Sequence, residues 1–186
     1  MNAFEHPDFL NEMNFMNYIY RDAEKFHKPK GVLITGQEGT GKSTLVAHFL
    51  ENNPSQKGIL AINIPSRTTL RSFIYTLLKK LGEETLDVKS PVEHLMSKII
   101  YLLNEKEIFM IILDDFELVL DENNLMRNQG VLNLLKQIQL DTNVSIFALG
   151  LPSCHLIIKQ NPQWTRLFPF HLDLDFLSKE KDKKRM

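Results

Sequence analysis

The chain alternates between stretches whose apolar residues recur every three or four positions and shorter runs in which they are continuous. The first pattern predicts amphipathic helices, and the second predicts strands covered on both faces. Residues 8–26 read as a helix, with Phe9, Met13, Tyr18 and Phe26 among its apolar positions. Val32–Thr35 reads as a buried strand, Lys42–Leu50 as the helix after it, and Ile59–Ile64 ("ILAINI") as a second strand. Ser66 is a candidate cap for a helix carrying Leu70, Phe73, Leu77, Leu78 and Leu81, and Gly82 stands where a left-handed C-terminal cap belongs. Ser90-Pro91 opens another helix, with Pro91 in its first turn and Leu95, Ile99, Leu102 and Leu103 on its apolar face. Phe109–Leu113 predicts a third strand, Val131–Leu140 a helix, Ser145–Leu149 a fourth strand and Phe168–Leu174 a fifth. Strands alternating with helices predict an α/β fold built on a largely parallel sheet.

Composition narrows this picture without changing it. The 186 residues suit one main domain, and 43% hydrophobic with 24% charged residues are ordinary for a globular protein. A formal net charge of −1 supplies no overall basic excess for nucleic acid, although a local stripe would serve. Arg67, Arg71, Lys79 and Lys80 gather near one predicted helix, and Lys28 and Lys30 precede the first strand; their ordinary reading is a solvated face. The single cysteine, Cys154, excludes an internal disulfide and fits a reducing, cytoplasmic setting. The six histidines lack paired metal-ligand spacing. The acidic N-terminal stretch is not a signal peptide, and the longest apolar run, Ile108–Leu113, is far too short to span a bilayer. The final stretch, 176–186, is polar and mostly charged and reads as a solvated tail.

The sharpest chemical signal lies between the first strand and its helix. Gly36-Gln37-Glu38-Gly39-Thr40-Gly41-Lys42-Ser43 satisfies G-x-x-x-x-G-K-[ST] in full. Glycines allow unusual backbone angles and leave no side chain in the way, so successive N–H groups can turn inward around a phosphate chain. The helix starting near Lys42 adds its positive end. On this reading Lys42 reaches the β- and γ-phosphates and the Ser43 hydroxyl ligates Mg2+. Thr44 either supports the loop or approaches the α-phosphate. Such a loop needs a carboxylate at the end of a neighbouring buried strand, and Asp114 ends the apolar run of "IFMIILDDFE". Asp115 follows where hydrolytic relatives of such sites carry a water-activating glutamate, one methylene longer. Glu117 shares a face with Asp115 if the chain stays extended, so either carboxylate, or neither, serves as the base.

With these two motifs placed, the chain resembles the TniB family of AAA+ transposition ATPases, relatives of the phage Mu B protein and of the ATPase regulators of Tn7-like elements. The resemblance runs over about residues 15–175. It is carried by "GVLITGQEGTGKSTLVAHF", "IPSRTTLRSFIYTLLKKLG", "MIILDDFELV", "VLNLLKQIQLDTNVSIFALGLPSCHLII" and "QWTRLFPFHLDL". It implies a P-loop NTPase of the AAA+ class, with the fourth strand between the loop strand and the acidic strand. It also implies ATP and Mg2+ as cofactors, ATP-dependent homo-oligomeric assembly on double-stranded DNA, and partnership with a transposase and a target-selection protein. Arg166 falls where such ATPases place an arginine finger for the neighbouring subunit, although a plain surface arginine fits equally.

Three departures stand out. Asp115 replaces the expected glutamate. Leu151 replaces the threonine that senses the γ-phosphate, a role then lost or moved to Ser153. No helical lid follows the core before Met186, so the expectation is a core over 31–175, preceded by a helical segment over 1–30 and followed by the tail. Two further readings therefore stay open. One is a truncated nucleotide-binding adaptor with little or no hydrolysis. The other, a small-molecule kinase, lacks the arginine cluster that a phosphate-covering lid requires.

Overall fold

The computed structural model describes residues 7–174, apart from 27, 56, 67, 86, 88, 121 and 122. Arg67 and the charged tail therefore lie outside the described residues. In chain order the elements are α1 (Pro7–Phe26), β1 (Gly31–Thr35), α2 (Lys42–Asn52), β2 (Ile59–Asn63), α3 (Leu70–Lys80), α4 (Val92–Glu105), β3 (Met110–Asp114), α5 (Leu125–Thr142), β4 (Ser145–Gly150), α6 (Pro152–Lys159), α7 (Pro162–Leu167) and β5 (Phe170–Asp173). The five strands form one parallel sheet in the order β2-β3-β4-β1-β5. The fourth strand thus lies between the loop strand and the acidic strand, as the sequence resemblance implies.

Sequence pattern and burial agree closely in the sheet. All residues of β1, β3 and β4 are buried, because helices cover both faces of these central strands. β2, at one edge, buries only Leu60 and Ile62. One face is covered by α1 and α2 through Phe9, Met16, Ile19, Leu45 and Phe49. The other is covered by the remaining helices through residues such as Phe73, Leu77, Ile99, Leu103, Leu135 and Trp164. β1 feeds a connection toward β2, whereas β4 feeds one that crosses back to β5. The crevice at the carboxyl end of β1 lies where these connections diverge, the place where open α/β sheets take ligands.

Several local expectations are corrected. In α1 the buried stripe is Phe9, Met13, Met16, Tyr20 and Ala23, at helical spacing, whereas Tyr18 and Phe26 lie on the exposed side. Thr69, not Ser66, caps α3: its side chain accepts from Ser72 N–H while the Ser72 hydroxyl accepts from Thr69 N–H, a reciprocal capping box. At the other end, Gly82 at φ 86° lets Glu83 N–H return to the carbonyl of Leu78 (3.0 Å), as anticipated. Pro91 is the residue before α4 rather than part of its first turn. The helix predicted from Val131 begins earlier, at Leu125, capped by the Asn124 side chain. The polar stretch ahead of Val131 hides this extension, in which Asn128 is buried. The predicted fifth strand shortens to Phe170–Asp173.

Candidate nucleotide site

The loop from Gly36 to Ser43 joins β1 to α2. Its conformation depends on glycine at several points. A Cβ on Gly36 would stand 2.5 Å from Thr40 Oγ1 and 2.7 Å from the Leu174 carbonyl oxygen, so no larger residue fits. Gly39 and Gly41 adopt φ of 76° and 94°, the left-handed region that glycine enters without strain. Thr40 folds the loop on itself, donating from its backbone N–H (3.2 Å) and its hydroxyl (2.9 Å) to the Gln37 carbonyl. Gln37, Glu38 and Gly39 remain exposed.

No side chain caps the start of α2. Helix-terminal N–H groups without a cap, set under a glycine loop, make an anion-accepting surface. The Lys42 side chain is buried beneath it, and its ammonium donates to the carbonyls of Gly36 (2.7 Å) and Gln37 (3.0 Å). In this arrangement the cation is held inside the loop by two neutral acceptors. Phosphate oxygens would be stronger acceptors for it.

Asp114 ends β3 with 2% of its surface exposed. Its Oδ1 accepts the Asp115 N–H (3.1 Å), and the Ser43 hydroxyl is close enough to favour its charged form. Burial pushes its pKa above the ordinary carboxylate value, and the nearby Ser43 hydroxyl and the Lys42 charge only partly offset this. A desolvated carboxylate with a serine hydroxyl nearby offers hard oxygen donors with unmet demand for positive charge. It fits Mg2+, which takes few protein ligands and fills its shell with phosphate oxygens and water.

A cleft of about 440 Å³ lies beside Asp114, which is not in its wall, and is lined by Glu38, Gly39, Gly41, Lys42, Ser43, Thr44, Asp115, Glu117 and Leu151. The fold thus gathers most of the loop with the residues that follow β3 and β4. Arg166 is exposed on α7 and does not line this cleft, and neither does Ser153. Leu151 does line it, so the site carries an apolar side chain at that point.

The chain after Asp114 does not stay extended. Asp115 sits at φ 59°, ψ 43°, and Phe116–Leu118 form a single 3-10 turn. Asp115 and Glu117 still share the cleft because the turn brings Glu117 back over it, not because of strand alternation. Glu117 Oε2 accepts the backbone N–H of Leu151 (3.1 Å), a bond between the ends of β3 and β4 that sequence spacing did not reveal. The neighbouring Cys154 thiol is driven up to about 12, first by burial and then by the Glu117 charge, so it is not a nucleophile.

A second polar cluster borders the loop. The Thr35 hydroxyl lies 2.7 Å from His171 Nε2 and donates to Asp173 Oδ1 (3.3 Å). The rings of His155 and His171 stack with centroids 3.6 Å apart. No group of three or more His, Cys, Asp or Glu side chains suited to a metal ion occurs among the described residues. No described helix is long and apolar enough to cross a membrane.

With this geometry in place, the chain matches the family of bacterial TniB proteins over residues 6–174. It belongs to the TniB family. The ORC1-type DNA replication protein 3 of Haloarcula marismortui is 25% identical over 119 residues, which are 61% of this chain and 31% of that protein. Among solved structures, the Aeropyrum pernix ORC1 protein in complex with DNA superposes with a TM-score of 0.67 at 17% identity, over 93% of this chain and 49% of that one. Cdc6p from Pyrobaculum aerophilum gives a TM-score of 0.70 at 11% identity, over 91% and 46%. The chain thus spans about a third of the curated relative (31%) and about half of these structures (49% and 46%). Their likeness establishes the AAA+ core fold for this TniB-family chain.

Proposed function

We propose that this TniB-family chain binds ATP with Mg2+ in the loop cleft and hydrolyses it as a regulator of DNA transposition. In this reading residues 31–175 form the ATPase core, which assembles with further copies on double-stranded DNA and engages a transposase and a target-selection protein. The observation that carries the nucleotide reading is the uncapped start of α2 under the glycine loop, opening on one cleft that the carboxylate-bearing turn after Asp114 also lines through Asp115 and Glu117.

Each residue has a task there. Backbone N–H groups of Gly39–Thr44 receive the phosphate chain, and Lys42 exchanges its two loop carbonyls for β- and γ-phosphate oxygens. Ser43 and Asp114 hold the metal, which when bound neutralises charge on the phosphates. Gln37 and Glu38 form the outer rim of the loop, and Thr40 keeps its turn closed. Asp115 and Glu117 supply carboxylates beyond the γ-phosphate. Arg166, exposed on α7, is available to a neighbouring copy, where a guanidinium would stabilise charge developing on the transferred phosphoryl group.

Family membership supports the transposition role, and the similarity to an ORC1 protein solved on DNA supports duplex DNA as the assembly platform. The basic residues proposed from sequence are only partly available for it. Arg71 donates to Tyr75 Oη (2.9 Å) and the Ser90 carbonyl (2.7 Å), and Lys30 pairs with Asp22 (2.7 Å). Lys28, Lys79 and Lys80 are exposed. The adaptor reading, binding without turnover, draws on the apolar Leu151 side chain facing the cleft.

Phosphate release from Mg-ATP, followed with and without double-stranded DNA, tests the regulator. Turnover that rises with added DNA supports it. Binding of ATP with no phosphate release under either condition favours the adaptor instead.

A further inference from the structure

We infer that Glu117, rather than Asp115, is the carboxylate that orients and deprotonates the attacking water. The inference rests on the ATP-hydrolysing reading above and deepens it.

Four observations bear on the choice. The Glu117 carboxylate is fixed on one side: Oε2 accepts the Leu151 N–H at 3.1 Å. Fixing one oxygen leaves the other to accept a proton from water at a defined place. Its position is central, because a Cβ on Gly150 would stand 2.9 Å from that same Oε2, and the Gly150 carbonyl accepts the N–H of Gly36, the first residue of the phosphate loop. The carboxylate therefore lies over the strand between the acidic strand and the loop strand. Its support is also rigid. Arg127, from α5, donates to the Leu118 carbonyl (2.6 Å) and to the Thr68 carbonyl, clamping the turn from the residue after Glu117. A reacting group set on a clamped element keeps the sub-ångström positioning that proton transfer needs.

Asp115 is placed differently. Its left-handed backbone, φ 59° and ψ 43°, is the point at which the chain reverses out of β3. Aspartate and asparagine tolerate this region better than glutamate, which gives a conformational reason for an aspartate at 115. A glutamate two residues later can supply the reach that this substitution gives up.

The step balances. The water oxygen bonds to the γ-phosphorus as the bond to the β–γ bridging oxygen breaks, and that electron pair leaves with ADP. The water proton passes to the Glu117 carboxylate and then to solvent.

Single-turnover hydrolysis of Mg-ATP, with ATP affinity and the identity of the bound nucleotide measured on the same samples, tests the assignment. Glu117→Gln is expected to slow hydrolysis by about 100-fold or more, keep ATP affinity within about threefold, and retain bound ATP unhydrolysed. Asp115→Asn is expected to lose less than about tenfold. Glu117→Asp, which keeps the charge but withdraws the oxygens by one methylene, should lose at least about tenfold and guards against a folding defect in the glutamine variant. Hydrolysis at the wild-type rate in either Glu117 variant, or a greater loss in Asp115→Asn than in Glu117→Gln, overturns the assignment. Wild-type chain that binds ATP without hydrolysing it also overturns the assignment, while leaving the nucleotide site standing. Wild-type chain that binds no ATP overturns both.

Discussion

At the scale of single residues, the loop is shaped by what is missing. Gly36 touches Thr40 and Leu174 so closely that one methyl group has no place without displacing a backbone oxygen 2.7 Å away. Gly36→Ala should therefore distort the loop and weaken ATP binding by about tenfold or more, a loss of the size caused by misplacing several oriented N–H groups. Titration of a fluorescent ATP analogue checks this, and unchanged affinity would contradict the steric account. Much of the backbone setting of these residues was legible in the sequence. A complete G-x-x-x-x-G-K-[ST] pattern and an aspartate after six apolar residues each demand a specific backbone context, and that context is present. The Glu117–Leu151 hydrogen bond was not legible, because it joins residues 34 positions apart through a turn that hydropathy does not encode.

Among elements, the junction of β1 with β5 carries the unexpected chemistry. His155 and His171 both have pKa values below the ordinary value of about 6.5, in each case chiefly through partial loss of hydration, although His171 stays exposed on β5. Mutual repulsion also lowers His155, and Lys159 lowers both, while Asp173 opposes the shift in each. A histidine depressed in the fold binds its proton more readily when unfolded. Stability is therefore fully present above the unfolded value and is lost as pH falls through it toward the folded values. Melting temperature should decline between about pH 7.5 and about pH 5.5, and a His155→Gln/His171→Gln double variant should flatten that decline. An unaltered slope in the double variant would assign the effect elsewhere. Strand identities were readable here from apolar runs, but β5 was blurred. It is an edge strand with a mostly exposed face, so its sequence lacks the continuous hydrophobicity of β1, β3 and β4.

On the scale of the whole molecule, the cleft beside the glycine loop and Arg166 occupy separate places, and the proposed function has a neighbouring copy bring them together. Arg166→Ala should keep ATP affinity within about threefold yet lower DNA-stimulated turnover by about 1,000-fold or more, within the range arginine fingers supply. Mixing Arg166→Ala with Lys42→Ala chains should restore part of the activity, since an intact cleft can then meet an intact arginine. Mixtures as inactive as either parent would place Arg166 outside the site. The parallel sheet with β4 between β1 and β3 followed from the family resemblance, whereas the edge places of β2 and β5 and the helix limits did not: α5 starts six residues before its apolar stripe, with a polar cap and a buried asparagine. Patterns locate the buried centre of an element better than its ends.

The outcomes for the loop, for hydrolysis and for Arg166 all depend on a nucleotide seated on the loop that holds Lys42. Calorimetric titration of the wild-type chain and of Lys42→Ala with ATP in the presence of Mg2+ tests this most directly. The account predicts saturable binding near one ATP per chain for the wild type, and no measurable heat for Lys42→Ala at matched concentration and comparable melting temperature. Equal binding by the two chains, or none by the wild type, would contradict it.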